Sequence, residues 1–252
     1  MFRRILIANR GEVACRIART CRRMGVETVA IYSDAESDAL HVRQAGSAVL
    51  IGPPPLAESY LNIPAIIAAA KRTGAEAIHP GYGLLSERPD FAQAVQDAGL
   101  VFIGPPPKAI AAMASKTAAR ARVAAAGVPL APGSEGPVQP SDDIEAVAAT
   151  VGYPVMVKAN DGGGGIGMTI VHEPGKLIQA VDRARRSSSR AFGSDVVYLE
   201  RFVERARHIE VQVCRRQERQ LAGAGRPRVL GATPAPEGGG GGARAGACSR
   251  TA

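Results

Sequence analysis

Four consecutive glycines, Gly162 to Gly165, follow Lys158 in the run KANDGGGGIGM and separate two apolar segments, YPVMVKA and GMTIVH, that read as strands. Without Cβ atoms, successive backbone N–H groups can close on an anion, and such a run between two strands can fold over a polyphosphate as a flap. A lysine closing an apolar strand adds a point charge suited to the same ligand. This is not a Walker A loop, because no Gly-Lys-Ser/Thr follows and the lysine precedes the glycines. A flexible linker is the competing reading, and linkers seldom sit between two β-patterned segments.

Other stretches carry polar residues at plausible positions. HPGYGLLSE, residues 79 to 87, places Gly81 and Gly83 where positive φ would turn the chain sharply and present Tyr82 at a sheet edge. From spacing alone, a structural turn with a packed tyrosine is preferred there. The first strand-to-helix turn, ANRGEVA, lacks the GxGxxG of dinucleotide binding, which argues against a nicotinamide cofactor. Asn9, Arg10 and Glu12 fit either a ligand edge or a capped helix start. Lys116, in MASKTAAR, falls on a helix of small residues, where a solvated lysine is the default. Glu200 lies on the strand YLERFV, with His208, Glu210 and Gln212 sharing one face of the next, RHIEVQV. That face is either solvent-exposed or one wall of a cleft.

The elements that must position these residues alternate. RRILIAN, VETVAIYS, the end of HVRQAGSAVLIG, AEAIHPGYG and LVFIGPP read as strands, separated by amphipathic helices such as GEVACRIARTCRRMG and IPAIIAAAKRTG. Alternation of this kind predicts a parallel sheet covered on both faces, a doubly wound α/β domain over residues 1–113. KAIAAMASKTAARARVAAAG reads as one helical stretch, and the Pro/Gly-rich VPLAPGSEGPVQPS as a linker. Residues 114–213 then form a smaller α+β unit around the glycine run. From 214 to 252 the periodicity stops and Gly, Ala, Arg and Pro dominate, which predicts a disordered tail.

Composition narrows the classes further. The chain has 252 residues, no Trp and 4% aromatics, so its core must be aliphatic. Of the net charge of +8, the stretch after Cys214 carries seven arginines against two glutamates, which leaves the body nearly balanced. With no aromatics there for base stacking, a nucleic-acid partner is not expected. No apolar run approaches the roughly 18 residues of a membrane span. The short apolar run near the N-terminus does not make a signal peptide, so a cytoplasmic protein is expected. Four cysteines without metal-ligand spacing read as free thiols.

The motifs ILIANRGEVACRI, SYLNIPAII, AIHPGYGLLSE, FIGP, GYPVMVKA, GGGGIGM and RHIEVQV occur in the order and spacing of biotin carboxylase. The chain resembles the N-terminal part of that subunit or domain of acetyl-CoA, propionyl-CoA and pyruvate carboxylases, over residues 1 to about 213. The resemblance implies an N-terminal domain followed by part of an ATP-grasp fold with a glycine-rich lid. It also implies ATP-dependent chemistry, in which bicarbonate and ATP carboxylate biotin held on a carrier. ATP, Mg2+ or Mn2+, and carrier-bound biotin are the cofactors and substrate implied. The implied partners are a biotin carboxyl carrier protein or domain, a carboxyltransferase subunit and a second copy in a homodimer.

Carried over by motif, Lys116 and Lys158 would contact ATP phosphates and Gly164 and Gly165 would supply lid N–H groups. Glu200, Arg201, Phe202 and Val203 would form the adenine hinge, with His208 beside the nucleotide, while Tyr82 and Gly83 would lie near biotin. The lid departs from the family pattern at Ile166, where a basic residue is usual. The family also continues past EVQV into a half that holds its metal-binding and catalytic glutamates, so no metal or catalytic residue is assigned in this chain. The abrupt change of composition suggests a frameshifted or truncated and inactive form. The alternative function is a non-catalytic nucleotide-binding or assembly module.

Overall fold

A computed structural model of the chain describes residues 1–139, 142–160, 168–206, 209–212 and 230–234. The chain divides into two compact units, Met1–Arg201 and Phe202–Ala252, and each is described by itself.

The first unit opens with β1 (Arg4–Ile7), α1 (Gly11–Arg23), β2 (Glu27–Ser33), α2 (Leu40–Gln44), β3 (Ser47–Gly52), α3 (Ile63–Arg72), β4 (Ala77–His79), α4 (Pro89–Asp97) and β5 (Val101–Phe102). The five strands form one parallel sheet in the order β3-β2-β1-β4-β5. Because side chains alternate along a strand, β1 feeds two cores. Leu6 joins Val29, Ile31, Ile66 and Phe91 on one face, whereas Ile5 and Ile7 join Val13, Ile17 and Cys21 of α1 on the other. A central strand buried on both faces needs an unbroken apolar run, and RILIA supplies it. Phe91 and Phe102 meet edge to face, 5.9 Å between centroids, the one ring pair among the described residues.

Next come α5 (Pro107–Ala114) and α6 (Lys116–Ala125). The expected single helical stretch is two helices. Ser115 breaks it by leaving the helical conformation, and its hydroxyl then caps α6 by accepting from the Ala118 N–H at 3.3 Å. Lys116 is therefore the first residue of a helix rather than part of a helix interior.

A second core gathers α7 (Ile144–Val151), β6 (Val155–Ala159), β7 (Thr169–Val171), α8 (Leu177–Phe192) and β8 (Val197–Arg201). These strands form an antiparallel sheet in the order β7-β6-β8. The Pro/Gly-rich stretch expected to be only a linker also lies along β8, with antiparallel bridges Gly133 to Glu200 and Val138 to Val197. Main-chain groups between its prolines supply the pairing: Ser134 donates to the Leu199 carbonyl and Arg201 to that of Pro132, each at 2.8 Å.

In the second unit, β9 (Ile209–Gln212) pairs antiparallel with β10 (Leu230–Pro234). Residues 230–234 thus carry a strand within the stretch read as a tail. Ladder pairing needs only main-chain donors and acceptors, so Gly and Ala do not prevent it; the rest of 213–252 lies outside the described residues. Among the described residues no helix is long and apolar enough to cross a membrane.

Candidate functional site

At the carboxyl edge of the parallel sheet, the candidate polar residues are largely engaged with one another. Asn9 is buried, and its amide donates to the carbonyls of Pro80 (2.8 Å) and Tyr82 (2.9 Å) while its oxygen accepts from the Arg10 N–H. It clamps the HPGYG loop against the first turn. Gly81 has φ +68°, and a Cβ there would fall 2.6 Å from the Asn9 amide nitrogen and 2.7 Å from Val13. The glycine is thus required twice, by conformation and by space. Gly83 also takes positive φ, +65°, but faces open space. Tyr82 is 58% exposed and its hydroxyl donates to Glu12, which raises its pKa. His79 accepts the Gly81 N–H through Nδ1, and burial, then the charge of Arg16, holds its pKa below the usual histidine range.

Beside this loop, Glu36 accepts from Arg10 (2.9 Å), the Tyr60 hydroxyl (2.7 Å) and Ser33 (3.0 Å). Burial alone would raise its pKa, but the hydrogen bonds from Tyr60, Ser33 and Arg10 outweigh it and the net direction is down. Burial, reinforced by the carboxylate, pushes the Tyr60 phenol far up, so it stays a donor.

The second cluster is built by β6, β8 and α6. Lys158 and Glu200 lie on adjacent antiparallel strands, with Lys158 opposite Tyr198 and Glu200 two residues on, so all three share a face. The Lys158 amine donates to Glu200 Oε1 at 2.7 Å. Glu200 Oε2 accepts from Arg120 at 3.2 Å and from the Tyr198 hydroxyl at 3.4 Å. Burial first, then the Glu200 charge, raises the Tyr198 pKa and keeps it protonated.

Asn160 ties the end of β6 to the start of α6. Its side-chain oxygen accepts from the Thr117 N–H (3.1 Å) and hydroxyl (2.9 Å), and its carbonyl from the Lys116 N–H (3.3 Å) and amine (3.5 Å). Lys116 is therefore held at a capped helix N-terminus, where the helix dipole favours an anion. Arg120 follows one turn later on the same helix. Two cations sharing one carboxylate, beside a lysine at a helix start, make an arrangement suited to phosphate.

The structure thus brings Lys116 and Lys158 to the two ends of the Asn160 connection and places Glu200 against Lys158. Arg201 follows Glu200 at the end of β8, and Phe202 and Val203 belong to the second unit, Val203 being exposed. Tyr82 and Gly83 belong to the parallel-sheet edge and take no part in the Glu200 cluster. Gly164, Gly165, Ile166 and His208 lie outside the described residues. Sequence reading did not find Asn160 or Arg120. Asn160 stands two residues after Lys158, just past the end of β6, and Arg120 four after Lys116 on the helix, and those offsets were the available signal. Among the described residues no group of three His, Cys, Asp or Glu could hold a metal ion.

Residues 1–110 match the family "Biotin carboxylase, N-terminal domain", and residues 115–222 match "Carbamoyl-phosphate synthase L chain, ATP binding domain". The chain is 49% identical over 214 residues to the biotin carboxylase of Allochromatium vinosum, covering 84% of this chain and 48% of that protein. It is 52% identical over 210 residues to the mitochondrial methylcrotonoyl-CoA carboxylase subunit alpha of rice, Oryza sativa, covering 83% of this chain and 28% of that protein. Among solved structures, a Campylobacter jejuni biotin carboxylase-β-γ-ATP complex superposes with a TM-score of 0.79 at 43% identity, over 84% of this chain and 48% of that one. A Hydrogenobacter thermophilus 2-oxoglutarate carboxylase biotin carboxylase domain dimer, with MgADP, ADP and bicarbonate, gives 0.78 at 43% identity over 84% of this chain and 47% of that one. The chain spans about half the length of the biotin carboxylases it matches. Over that portion, an N-terminal domain followed by an ATP-binding domain, the chain belongs to the biotin carboxylase family.

Proposed function

We propose that the chain acts in the ATP-dependent carboxylation of biotin on a carrier protein, with bicarbonate as the carbon source. The single observation that carries this reading is the cationic cluster at Lys158, Arg120 and Lys116 on the ATP-binding portion, anchored by Asn160. These residues fit a nucleotide polyphosphate: Lys116 and Lys158 would take phosphate oxygens, and the dipole of α6 would add to the attraction. Gly164 and Gly165 would cover the phosphates, while Glu200, Arg201, Phe202, Val203 and His208 would border the nucleoside. Tyr82 and Gly83 would face biotin. Magnesium would accompany the nucleotide; the described residues offer no ligand set for it, and no step is assigned to it.

The working division is residues 1–113 as the N-terminal domain, 114–213 as the ATP-grasp portion and 214–252 as a tail. Carrier protein, carboxyltransferase and a second copy of the chain are the partners this function requires, and the cytoplasm is the compartment proposed. Calorimetric titration with ADP and with ATP tests the reading. Wild type should bind, and Lys158→Ala should bind about tenfold more weakly, the scale of one lost charge-assisted phosphate contact. Absence of binding, or equal binding by the variant, would overturn it.

A further inference from the structure

We propose that Arg120 is a positioning residue that divides the Glu200 carboxylate and so keeps the Lys158 amine available to an anionic ligand. The inference rests on the nucleotide reading above and goes beyond it by assigning a role to a side chain outside the phosphate contacts. Both Glu200 oxygens are engaged, Oε1 by Lys158 and Oε2 by Arg120, with the three side chains 18 to 21% exposed. In so sheltered a place, a carboxylate with a single cationic partner would hold that partner tightly against a competing phosphate.

Arg120 has a seat made for it. One guanidinium nitrogen donates to Glu200 while another donates to the Ala131 carbonyl at 2.6 Å. A Cβ on Gly133 would fall 2.7 Å from that second nitrogen and 2.9 Å from the Leu199 carbonyl, so the stretch beside β8 leaves room for the guanidinium by omitting a side chain. A planar fork that never loses its proton can bridge a carbonyl and a carboxylate at once, which an ammonium on a flexible stem does less well.

The test is labelling of the chain with pyridoxal 5′-phosphate, an anionic aldehyde. Its carbonyl condenses with a lysine amine with loss of water, and borohydride then delivers hydride to the C=N bond, leaving a secondary amine that peptide mass spectrometry locates. The exposed Lys71 and Lys108 serve as internal references. Relative to them, Arg120→Gln should slow labelling of Lys158 by roughly three- to fivefold, the scale of an ion pair at this exposure. Arg120→Lys should stay nearer the wild-type rate, and Glu200→Gln should exceed it.

Labelling of Lys158 that is unchanged or faster in Arg120→Gln overturns the proposal, since a merely structural role would loosen the loop and expose the lysine. Should thermal melting find Arg120→Gln unfolded, the remaining two variants decide: a Glu200→Gln rate no higher than wild type, or an Arg120→Lys rate as low as that predicted for Arg120→Gln, sinks it. ADP titration of the wild type runs alongside. Failure to bind ADP would remove the nucleotide reading, while the order of labelling rates still decides whether Arg120 positions Lys158.

Discussion

Glu36 and Glu200 are built from nearly the same parts and end in different electrostatic states. Each accepts from a tyrosine hydroxyl and an arginine. Glu36 adds a neutral serine, so its one arginine is balanced by its one carboxylate. Glu200 adds Lys158, so two positive charges share one negative. The first arrangement spends its polar groups on holding a loop, whereas the second leaves charge for something else to neutralise. A polar cluster at the edge of a sheet therefore signals a ligand by its uncompensated charge rather than by its hydrogen-bond count.

Mutations can pull this contrast apart. The largest effect should come from Gly81→Val, which forces a β-branched residue to positive φ and into Asn9; urea unfolding should report a loss of more than about 3 kcal/mol. Glu36→Gln should cost about 1–2 kcal/mol by the same measurement, because it leaves Arg10 and the buried Tyr60 with a weaker acceptor. Lys158→Ala should do the reverse, lowering ADP affinity about tenfold while stability changes by less than about 1 kcal/mol, since Glu200 keeps Arg120. If instead Lys158→Ala unfolds the chain and Glu36→Gln does not, the distinction between a structural and a ligand-directed carboxylate fails.

The smallest effect concerns acid. The pKa of Glu36 is held below its ordinary 4.5 in the folded chain, so its contribution is whole above that value and is lost as pH falls through the lower folded value. The stability gap between wild type and Glu36→Gln should therefore narrow between about pH 5 and pH 3. A gap that widens toward acid would mean that the carboxyl is favoured in its protonated form.

Much of this was legible in the residues. The parallel sheet followed from unbroken apolar runs alternating with amphipathic helices, because a strand covered on both faces has no polar side to show. The turn at Gly81 followed from the glycine spacing, and the place of Lys158 from its position at a strand end. Asn160 and Arg120 were not found because their partners are distant in sequence, Thr117 lying 43 residues from Asn160 and Glu200 80 residues from Arg120. The break at Ser115 was hidden among good helix formers, where a single capping serine outweighs local propensity only once Asn160 receives the Lys116 and Thr117 N–H groups. The pairing along β8 was masked by prolines, although the residues between them kept their N–H and C=O groups.

That proline-punctuated stretch has a consequence for the life of the chain before it is fully folded. β8 is the last strand of a three-stranded sheet, and a bare edge of that kind is a template on which other chains can add strands. Residues 133 to 138 occupy the template from within the same molecule, while Pro132 and Pro137 present no N–H groups to a newcomer. The opposite edge, β7, is only three residues long. The small sheet is thus protected at one side by a capping segment and at the other by brevity, which discourages edge-to-edge aggregation.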